Sequence, residues 1–335
     1  MGTWQTGFVA GALGVGALIG GTGFAEAETK LRFATYVNEI DIRYKGFEYF
    51  AEQVRERTGG EVVIEIFGSG TLHPFTKGID SVLGGVSDIS PLSAGGIDNR
   101  LPCAYVTNFM PVPVDWERHA ELDQEYNALL RDELANLGLV VVLSSNFSYD
   151  QEWWFHTPVE HLDQLDGKLV RSVGPVVTQI IEKWGGEPVF IDPKEVYQSA
   201  ERGVVDGINM GVATYSSWQL WGVMPHMINA GLFYGNVMYA MSKDKFDALS
   251  PEHQEAIMAA GVDAARWIKP QYEAWINEQV GLAVMKGGGS ARALDPDERL
   301  RLIESAAEGW NDQMDEACGP ELAAKLRALF SKYAG

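Results

Sequence analysis

Arg171 is the residue of this chain best placed to hold a charged ligand. It ends an apolar, strand-like segment at 169–171, within a stretch at 165–209 that alternates between strand-like and helix-like segments. Such alternation predicts a parallel sheet with crossover helices, whose ligands bind beyond the carboxyl ends of the strands. An arginine there forms a planar, two-pronged pair with a carboxylate, which lysine cannot match. With no catalytic partner beside it, Arg171 predicts an anion-holding site; a surface arginine paired with an aspartate is the alternative.

Residue types that support catalysis are scattered along the chain. The six histidines stand at positions 73, 119, 156, 161, 226 and 253, and none belongs to a His-x-x-x-His pattern or a nucleophile elbow. A secreted hydrolase needs a nucleophile–base pair, which the sequence does not present. We therefore expect a binding protein without a cofactor rather than an enzyme.

The composition is that of a folded, acidic protein. The chain has 335 residues, of which 46% are hydrophobic and 21% charged, which suits two domains and argues against disorder. A formal net charge of −20 repels phosphate backbones and anionic lipid, so nucleic acid is not an expected partner. Because ions screen the global field over roughly 8 Å, one local arginine is enough to hold an anion.

The first 27 residues have the pattern of a secretory signal peptide. Residues 8–24 carry no charge, and Ala25-Glu26-Ala27 is the small-x-small pattern that precedes cleavage. We expect cleavage after Ala27 and a periplasmic location. A transmembrane anchor is the alternative, but the apolar run is short for a span and rich in glycine. Residues 1–7 contain no Lys or Arg, which leaves open a start further upstream.

The two cysteines, Cys103 and Cys318, do not have the spacing of a metal site. Two small, buried apolar side chains are the interpretation that the sequence favours. A disulfide bond formed in an oxidising compartment is the alternative.

Two stretches of the chain repeat one order of elements. Residues 31–94 and 168–209 each read strand, helix, strand, helix, strand, and each closes on a glycine stop followed by an aspartate, Asp88 or Asp206. The repetition predicts two α/β lobes that face each other; coincidence is the alternative, because such helix exits are common. Further helices are expected at 115–137, 250–286 with a kink at Pro270, and 295–333.

Aromatic residues cluster between the two repeated stretches. Four of them fall within positions 149–155, among them Trp153 and Trp154, and Trp218 and Trp221 follow the second stretch. Buried core is the usual role of such residues. Their place beside the predicted cleft makes a cleft wall the alternative.

Three motifs resemble one family of binding proteins. Asp-Gly-Lys-Leu-Val-Arg at 166–171, Glu-Val-Tyr-Gln-Ser-Ala at 195–200 and Gly-Val-Val-Asp-Gly at 203–207 resemble the solute-binding proteins of tripartite ATP-independent periplasmic (TRAP) transporters, of the DctP type. Gly-Val-Ser-Asp at 85–88 and the segment 242–252 are similar to the same family. The resemblance therefore extends over most of the mature chain.

The resemblance implies an α/β, two-lobed periplasmic binding protein of the type II-like class, with a cleft between the lobes and a long kinked helix late in the chain. Such a protein closes on a small carboxylate and delivers it, as a monomer, to membrane-embedded TRAP transporter subunits. The predicted division gives residues 28–150 and 235–275 to lobe 1, and 151–234 and 276–335 to lobe 2. A periplasmic sensor that presents the same ligand to a membrane receptor is the alternative function.

The resemblance also implies which residues form the site. Arg171 grips the ligand carboxylate, and by position the cleft lining includes Asn38, Glu39, Ser93, Gln151, Asn209, Met210 and Tyr234 to Asn236. Gln151 stands where some members carry a second Arg, which weakens the case for a second ligand carboxylate. Members that hold a metal commonly have Glu where Asn209 stands, so no metal is expected. Met210 replaces an Asn of many members, which favours a less polar ligand tail.

Overall fold

The structure is a computed structural model that describes residues 1–3, 28–92, 100–107, 109–112, 114–148 and 150–334. Within these residues the strands form two separate six-stranded sheets. The first sheet contains β1 (Thr29–Ala34), β2 (Val62–Phe67), β3 (Ile89–Pro91), β4 (Phe109–Met110), β5 (Leu139–Ser148) and β11 (Tyr234–Ser242). The second contains β6 (Gln151–Phe155), β7 (Leu169–Ser172), β8 (Glu187–Phe190), β9 (Gly207–Gly211), β10 (His226–Asn229) and β12 (Ser290–Ala293).

Helices cover and connect the two sheets. They are α1 (Ile42–Arg57), α2 (Gly78–Leu83), α3 (Pro102–Thr107), α4 (His119–Leu129), α5 (Arg131–Asn136), α6 (Pro175–Lys183), α7 (Val196–Glu201), α8 (Val212–Ser217), α9 (Lys243–Asp247), α10 (Pro251–Gly287) and α11 (Pro296–Lys332). The helix predicted over 115–137 is thus divided: a 3₁₀ turn at Trp116–Arg118 precedes α4, and Leu130 separates α4 from α5. Leu130, which keeps αR backbone angles at the junction, and Leu134 are both buried in the larger hydrophobic core.

The two sheets repeat one parallel arrangement. The strand order β2-β1-β3 in the first sheet corresponds to β8-β7-β9 in the second, and all of these pairs are parallel. The aspartate after each glycine stop has the same role. Asp88 accepts a hydrogen bond from the backbone N–H of Arg32 (2.7 Å), and Asp206 accepts one from that of Leu169 (2.9 Å). Asp88, just before β3, is therefore tied to β1, and Asp206, just before β9, is tied to β7 in the same way.

The chain passes between the sheets from β5 to β6 and returns from β10 to β11. Glu152 of β6 joins these two crossings, because its buried carboxylate accepts hydrogen bonds from the backbone N–H groups of Ala230 (2.6 Å) and Gly231 (3.3 Å). Burial raises the pKa of Glu152 to about 8. The crossings lie near the predicted lobe boundaries, while the assignment of individual residues to lobes stays a prediction.

The long helix α10 packs against both sheets. Ser250 caps its first turn by accepting from the N–H of His253, and Gly288 (φ 63°) follows its end. Its first half lies on β5, so closely that a Cβ on Gly261 would be 2.0 Å from the carbonyl oxygen of Val142. In its second half, Ala283 joins the core of the second sheet. The predicted long helix is confirmed, and the kink at Pro270 stays a prediction.

The last helix also contacts both halves of the molecule. α11 packs on α3 and α4, which accompany the first sheet, and on α6, which accompanies the second. The predicted division, in contrast, gives all of residues 276–335 to lobe 2. Trp310 donates a hydrogen bond to the carbonyl oxygen of Val106 (2.9 Å). The helix is interrupted at Gly319, whose φ of 72° is left-handed, and Pro320 starts the final segment.

Cys103 and Cys318 form a disulfide bond between α3 and α11. The interpretation favoured by the sequence, two free buried thiols, is therefore wrong. A separation of 215 residues gives no local signal, because only the packing of α11 on α3 brings the two cysteines together. Closing so long a loop stabilises the folded chain by about 5 kcal/mol in the chain-entropy model.

Candidate functional site: a cleft between the two sheets

Arg171 lies near the carboxyl end of β7 and is only 4% exposed. Its guanidinium donates hydrogen bonds to two backbone oxygens, from Nε to Ile191 (3.2 Å) and from Nη1 to Asn209 (2.9 Å). No carboxylate in the described part of the chain forms an ion pair with it. Burial lowers the pKa of Arg171 to about 10, and Tyr36 and Asp192 act in the opposite direction. The guanidinium is thus a buried charge held by neutral acceptors.

A small cavity of about 50 Å³ adjoins Arg171. Its walls come from both sheets and are mostly apolar: Tyr36, Phe75, Phe109 and Val237 from the first, and Gln151, Val173, Phe190, Pro193, Met210, Gly211 and Thr214 from the second. Arg171 is the one cation among the described residues that line it. An apolar cavity with one cation suits a monoanion with an apolar body.

A second cavity, of about 270 Å³, shares the walls Tyr36 and Phe75 with the first. We call the two the inner and the outer cavity. The outer cavity is more polar and is lined by Tyr36, Asn38, Ser69, Gly70, Pro74, Phe75, Asp192, Lys194, Tyr197 and Trp218. The two rings between the cavities contact edge to face, with centroids 4.7 Å apart.

A second buried arginine, Arg43 of α1, reaches across the cleft. Asp41 pairs with its guanidinium at 2.5 and 2.9 Å, and Nη2 donates to the hydroxyl of Thr214 in α8 (2.7 Å). Burial disfavours the charged form, but Asp41 and Tyr36 outweigh it and hold the pKa of Arg43 well above its usual range. Asn38 makes a second contact across the cleft by donating to the carbonyl oxygen of Ser217 (3.1 Å).

Three further predicted residues lie with Arg171. Gln151 and Met210 line the inner cavity, and Asn209 supplies the carbonyl oxygen that receives Nη1 of Arg171. The side chain of Asn209 accepts a hydrogen bond from Gln151 (2.9 Å) and donates to the carbonyl oxygen of Glu152 (3.2 Å). Asn209 therefore positions both the arginine and the glutamine.

Trp153 and Trp154, two of the predicted cleft tryptophans, do not line either cavity. Trp153 and Trp154 are 0% and 1% exposed, and Trp154 stacks on Tyr215 with ring centroids 3.4 Å apart. Their side chains belong to the cores of the molecule rather than to the cleft surface. Of the predicted aromatic wall, Trp218 is the residue that lines the outer cavity.

Tyr234 and Asn236 also lie away from Arg171. Their side chains donate hydrogen bonds to Asp123 of α4 (3.1 and 2.8 Å), as does Asn146 (3.0 Å). Burial without a cation raises the pKa of Asp123 to about 7. Asp123 borders a groove of about 650 Å³ between α4, α5, β5 and α10, which shares no lining residue with the inner cavity.

The remaining predicted residues have different positions. Asn38 lines the outer cavity, whereas Glu39 is exposed and borders a surface depression of about 460 Å³ beside it. Ser93 and residues 4–27 of the predicted signal peptide lie outside the described residues.

Sequence reasoning missed most of the apolar and aromatic lining of the inner cavity. Tyr36 follows β1, Phe190 ends β8 and Val173 follows β7, so all three stand at carboxyl ends of parallel strands. The rule that located Arg171 would have found them. Phe75 and Phe109 are brought in by folding and carry no comparable signal.

One group of described residues has the spacing to hold a metal ion: His161, Asp295 and Glu298. Glu298 already pairs with Arg292 (2.7 Å), and Asp295 caps α11 by accepting from the N–H of Glu298 (2.8 Å). A guanidinium within the group opposes a second cation. None of the three residues lines the inner or the outer cavity.

Two sheets joined by repeated crossings, with a buried cation and apolar walls between them, define a binding protein with a cleft between two lobes. The model of the bacterial extracellular solute-binding protein family 7, DctP, matches residues 33–317. The chain therefore belongs to that family; it is a solute-binding protein and not an enzyme. The family and the α/β two-lobed fold expected from the motifs are confirmed.

Individual relatives agree with this assignment. The 2,3-diketo-L-gulonate-binding periplasmic protein YiaO of Escherichia coli is 25% identical over 251 residues, 72% of this chain and 74% of its own length. The TRAP periplasmic solute-binding protein of Desulfovibrio salexigens, solved with orotic acid, has a TM-score of 0.83 at 17% identity, over 92% of this chain and 100% of that one. The corresponding protein of Sulfitobacter sp. NAS-14.1, solved with β-D-galacturonate, has a TM-score of 0.78 at 23% identity, over 91% and 100%.

Within the described residues, every helix is too short or too polar to cross a membrane.

Proposed function

We propose that this protein captures a small organic acid between its lobes, with the carboxylate on Arg171, and delivers it to a TRAP-type transporter. The observation that carries the proposal is the buried guanidinium of Arg171, which is hydrogen-bonded to backbone oxygens and faces an apolar cavity. An unpaired buried charge is costly, and a ligand carboxylate supplies the missing counter-charge. The acids named with its relatives, 2,3-diketo-L-gulonate, orotic acid and β-D-galacturonate, support the same ligand class.

The lining of the inner cavity favours an acid with a hydrophobic or ring-bearing tail over a small dicarboxylate such as succinate. Phe75 and Phe190 offer apolar area at little cost in entropy, and Met210 adds a flexible apolar side chain. The described lining has a single cation, so a second ligand carboxylate finds no partner in the inner cavity.

Ligand binding acts on the equilibrium between open and closed lobes. The inner cavity takes walls from both sheets, so a ligand there contacts more protein when the lobes are closed. A ligand shifts such an equilibrium only by binding one state better than the other. The lobes meant here are the predicted ones, 28–150 with 235–275 and 151–234 with 276–335.

We infer that the protein works in the periplasm as a monomer, after removal of residues 1–27. The apolar segment that ends in Ala25-Glu26-Ala27 supports this processing. Mass spectrometry of exported protein should give a chain that begins at Glu28. An intact N-terminus in the membrane fraction would contradict the proposal. Light scattering on the mature protein should give the mass of one chain.

Thermal melting in the presence of a library of mono- and dicarboxylates tests the ligand class. A ligand at one hundred times its Kd stabilises the folded protein by about 2.7 kcal/mol, which gives a clear shift in Tm. We expect the largest shifts from ring-bearing monocarboxylates, and much smaller shifts from the same acids with Arg171→Met. Tighter binding of succinate than of any ring-bearing monocarboxylate would overturn the proposed preference. Equal shifts in Tm for the wild type and Arg171→Met would show that Arg171 does not hold the ligand carboxylate.

A further inference from the structure

Asn38 bonds to both sides of the cleft through one amide group. It follows β1 by four residues, and its Oδ1 accepts hydrogen bonds from the backbone N–H groups of Ile40 and Asp41 (both 3.1 Å). Its Nδ2 donates across the cleft to the carbonyl oxygen of Ser217 in α8 (3.1 Å). Both lone pairs of the amide oxygen and one of its two N–H bonds are thus used within the protein.

The carbonyl oxygen of Ser217 lies beyond the hydrogen-bond ladder of its own helix. Ser217 is the last residue of α8, and the final carbonyl groups of a helix need partners from outside it. Gln219, with a left-handed φ of 56°, ends the helical course of the chain. Asn38 supplies the partner, so a helix end on one side of the cleft is capped by a side chain of the other.

A second bond across the cleft runs from the same loop to the same helix. Nη2 of Arg43 donates to the hydroxyl of Thr214 (2.7 Å), and Asp41 fixes the guanidinium of Arg43. Thr214 and Ser217 are three positions apart and lie on one face of α8. Thr214 lines the inner cavity and Asn38 the outer one, so one bond adjoins each cavity.

The two ends of α8 stand differently to the crossing between the sheets. At its start, the N–H of Val212 donates to the carbonyl oxygen of Asp150, which lies between β5 and β6 (2.9 Å). Its end, at Ser217, lies about 8 Å further along the helix, and the next residue, Trp218, lines the outer cavity. A rotation of the lobes about the crossing therefore separates Asn38 from Ser217 while the start of α8 stays attached.

We propose that Asn38 stabilises the closed lobes through Ser217 rather than binding the ligand, and that it sets the affinity for every ligand of the cleft by one common factor. This inference rests on the proposed function, capture of an acid between the lobes. A ligand contact discriminates among acids, whereas a bond between the lobes adds the same free energy to each closed complex. Asn38, which the family pattern predicts as a lining residue, is then a positioning residue.

Calorimetry with several acids tests the common factor. Asn38→Ser keeps an oxygen that can hold the turn but is too short to reach Ser217. The probes are benzoate, orotate and D-galacturonate, which differ in body and polar groups, and any further acid that raises the Tm of the wild type. For each acid that the wild type binds, Asn38→Ser should raise Kd by the same factor, about 3- to 10-fold. A loss restricted to one acid, or no loss with any, would overturn the inference.

Two further variants separate the bond across the cleft from the turn. Asn127→Ser is the matched control, because Nδ2 of Asn127 donates to Ser144 of the first sheet (3.2 Å) and Asn127 lines neither cavity. It should keep the wild-type Kd. Asn38→Asp keeps both acceptor bonds of the turn and loses the donor, so it should bind at least as weakly as Asn38→Ser. Wild-type affinity in Asn38→Asp would assign the effect to the turn and contradict a role in closure.

Kinetics add a readout that a defect in folding does not produce. The bond to Ser217 forms after the ligand has entered, so stopped-flow displacement should place the loss in the dissociation rate constant. A loss confined to the association rate constant would refute this order. If binding depends on Arg171 but not on Asn38, this inference fails and the proposed function stands. If no acid binds in a manner that depends on Arg171, the proposed function fails and this inference with it.

Discussion

Arg43 and Arg171 are two arginines buried to nearly the same degree on opposite sides of one cleft, at 3% and 4% exposed. Arg43 has a carboxylate of its own, because Asp41 pairs with it at 2.5 Å. Within the part of the chain that the structure describes, the hydrogen-bond partners of Arg171 are the carbonyl oxygens of Ile191 and Asn209. The surroundings move the pKa in opposite directions, well above the usual range for Arg43 and down to about 10 for Arg171.

The difference between the two arginines lies in the counter-charge rather than in burial, and it separates the structural cation Arg43 from Arg171, the cation proposed to bind the ligand. The charge of Arg43 is used within the protein, where it fixes Asp41 and reaches Thr214. The charge of Arg171 has no carboxylate partner among the described residues, and we propose that a ligand carboxylate supplies it. Removing one member of a buried pair is costly, whereas removing an unpaired buried charge relieves a cost.

The largest expected effect is on folding. Arg43→Met leaves the carboxylate of Asp41 buried and unpaired, which should lower the free energy of unfolding by about 3–5 kcal/mol. Urea denaturation of the ligand-free protein measures it. Asp41→Asn together with Arg43→Met removes both charges and should recover most of the loss. An unchanged midpoint in Arg43→Met would place the pair among weak surface interactions.

The corresponding change at Arg171 should act on affinity instead. Arg171→Ala leaves the ligand carboxylate without its partner, at about 2–5 kcal/mol, or roughly 30- to 3000-fold in Kd. Arg171→Lys should also weaken binding, because an ammonium cannot form the planar fork. Calorimetry measures the affinity, and urea denaturation should give a free energy of unfolding equal to or above that of the wild type. Wild-type affinity in Arg171→Ala, with the fold intact, would break the comparison.

The sequence predicts one arginine of this pair and not the other. Arg171 ends an apolar strand, and the carboxyl ends of parallel strands are where ligands bind. Arg43 follows Asp41 at the start of α1, a pattern that on sequence alone is an ordinary helix cap. Its reach to Thr214 depends on how two lobes meet, across 171 positions of sequence. Local patterns cannot show such a contact.

Alternation along β11 explains why two predicted lining residues lie elsewhere. Val237 lines the inner cavity. Tyr234 and Asn236 lie an odd number of residues from Val237 along β11, so their side chains point to the opposite face, where they meet Asp123. Position in a family pattern predicts the strand and not which face of it is turned to the ligand. The repeated order of elements, in contrast, is predicted by the motifs, and each aspartate ties its strands together in the same way.

The hydrogen bond from Arg43 to Thr214 connects the structural arginine to the wall of the inner cavity, so Arg43 should also affect ligand binding. Thr214→Val removes the acceptor and should weaken ligand binding by about 1.5 kcal/mol, on the order of 10-fold, if closure forms this contact. Thr214→Ser keeps the hydroxyl and should retain most of the affinity. Equal losses in the two variants would assign the effect to packing in the cavity rather than to Arg43.

Buried carboxylates extend the comparison to pH. Glu152 has backbone N–H donors and no paired cation in the described residues, and its pKa is raised to about 8 from an ordinary 4.5. The folded state therefore holds a proton that the unfolded chain releases, so this stabilisation is complete below about pH 4.5 and is lost as pH rises through about 8. The slope is at most about 1.4 kcal/mol per pH unit. The free energy of unfolding at about pH 5 and that at about pH 8, both from denaturation, should differ less in Glu152→Gln than in the wild type. If this difference is unchanged in the variant, Glu152 is not its source.

The smallest expected effect is spectroscopic, and it separates the cleft from the core. Trp218 lines the outer cavity and is half-buried, so closure on a ligand should change its solvent exposure, whereas Trp153 and Trp154 are already buried and should not respond. We expect a saturable change in intrinsic fluorescence with a bound acid, largely removed by Trp218→Phe. Trp267, which is 37% exposed and stacks on Tyr49 outside both cavities, provides the control, and Trp267→Phe should keep the change.

If Trp218→Phe retains the full signal while calorimetry reports binding, closure does not reach the outer cavity. The ligand would then be held by Arg171 and the inner cavity alone, without a contribution from the outer cavity.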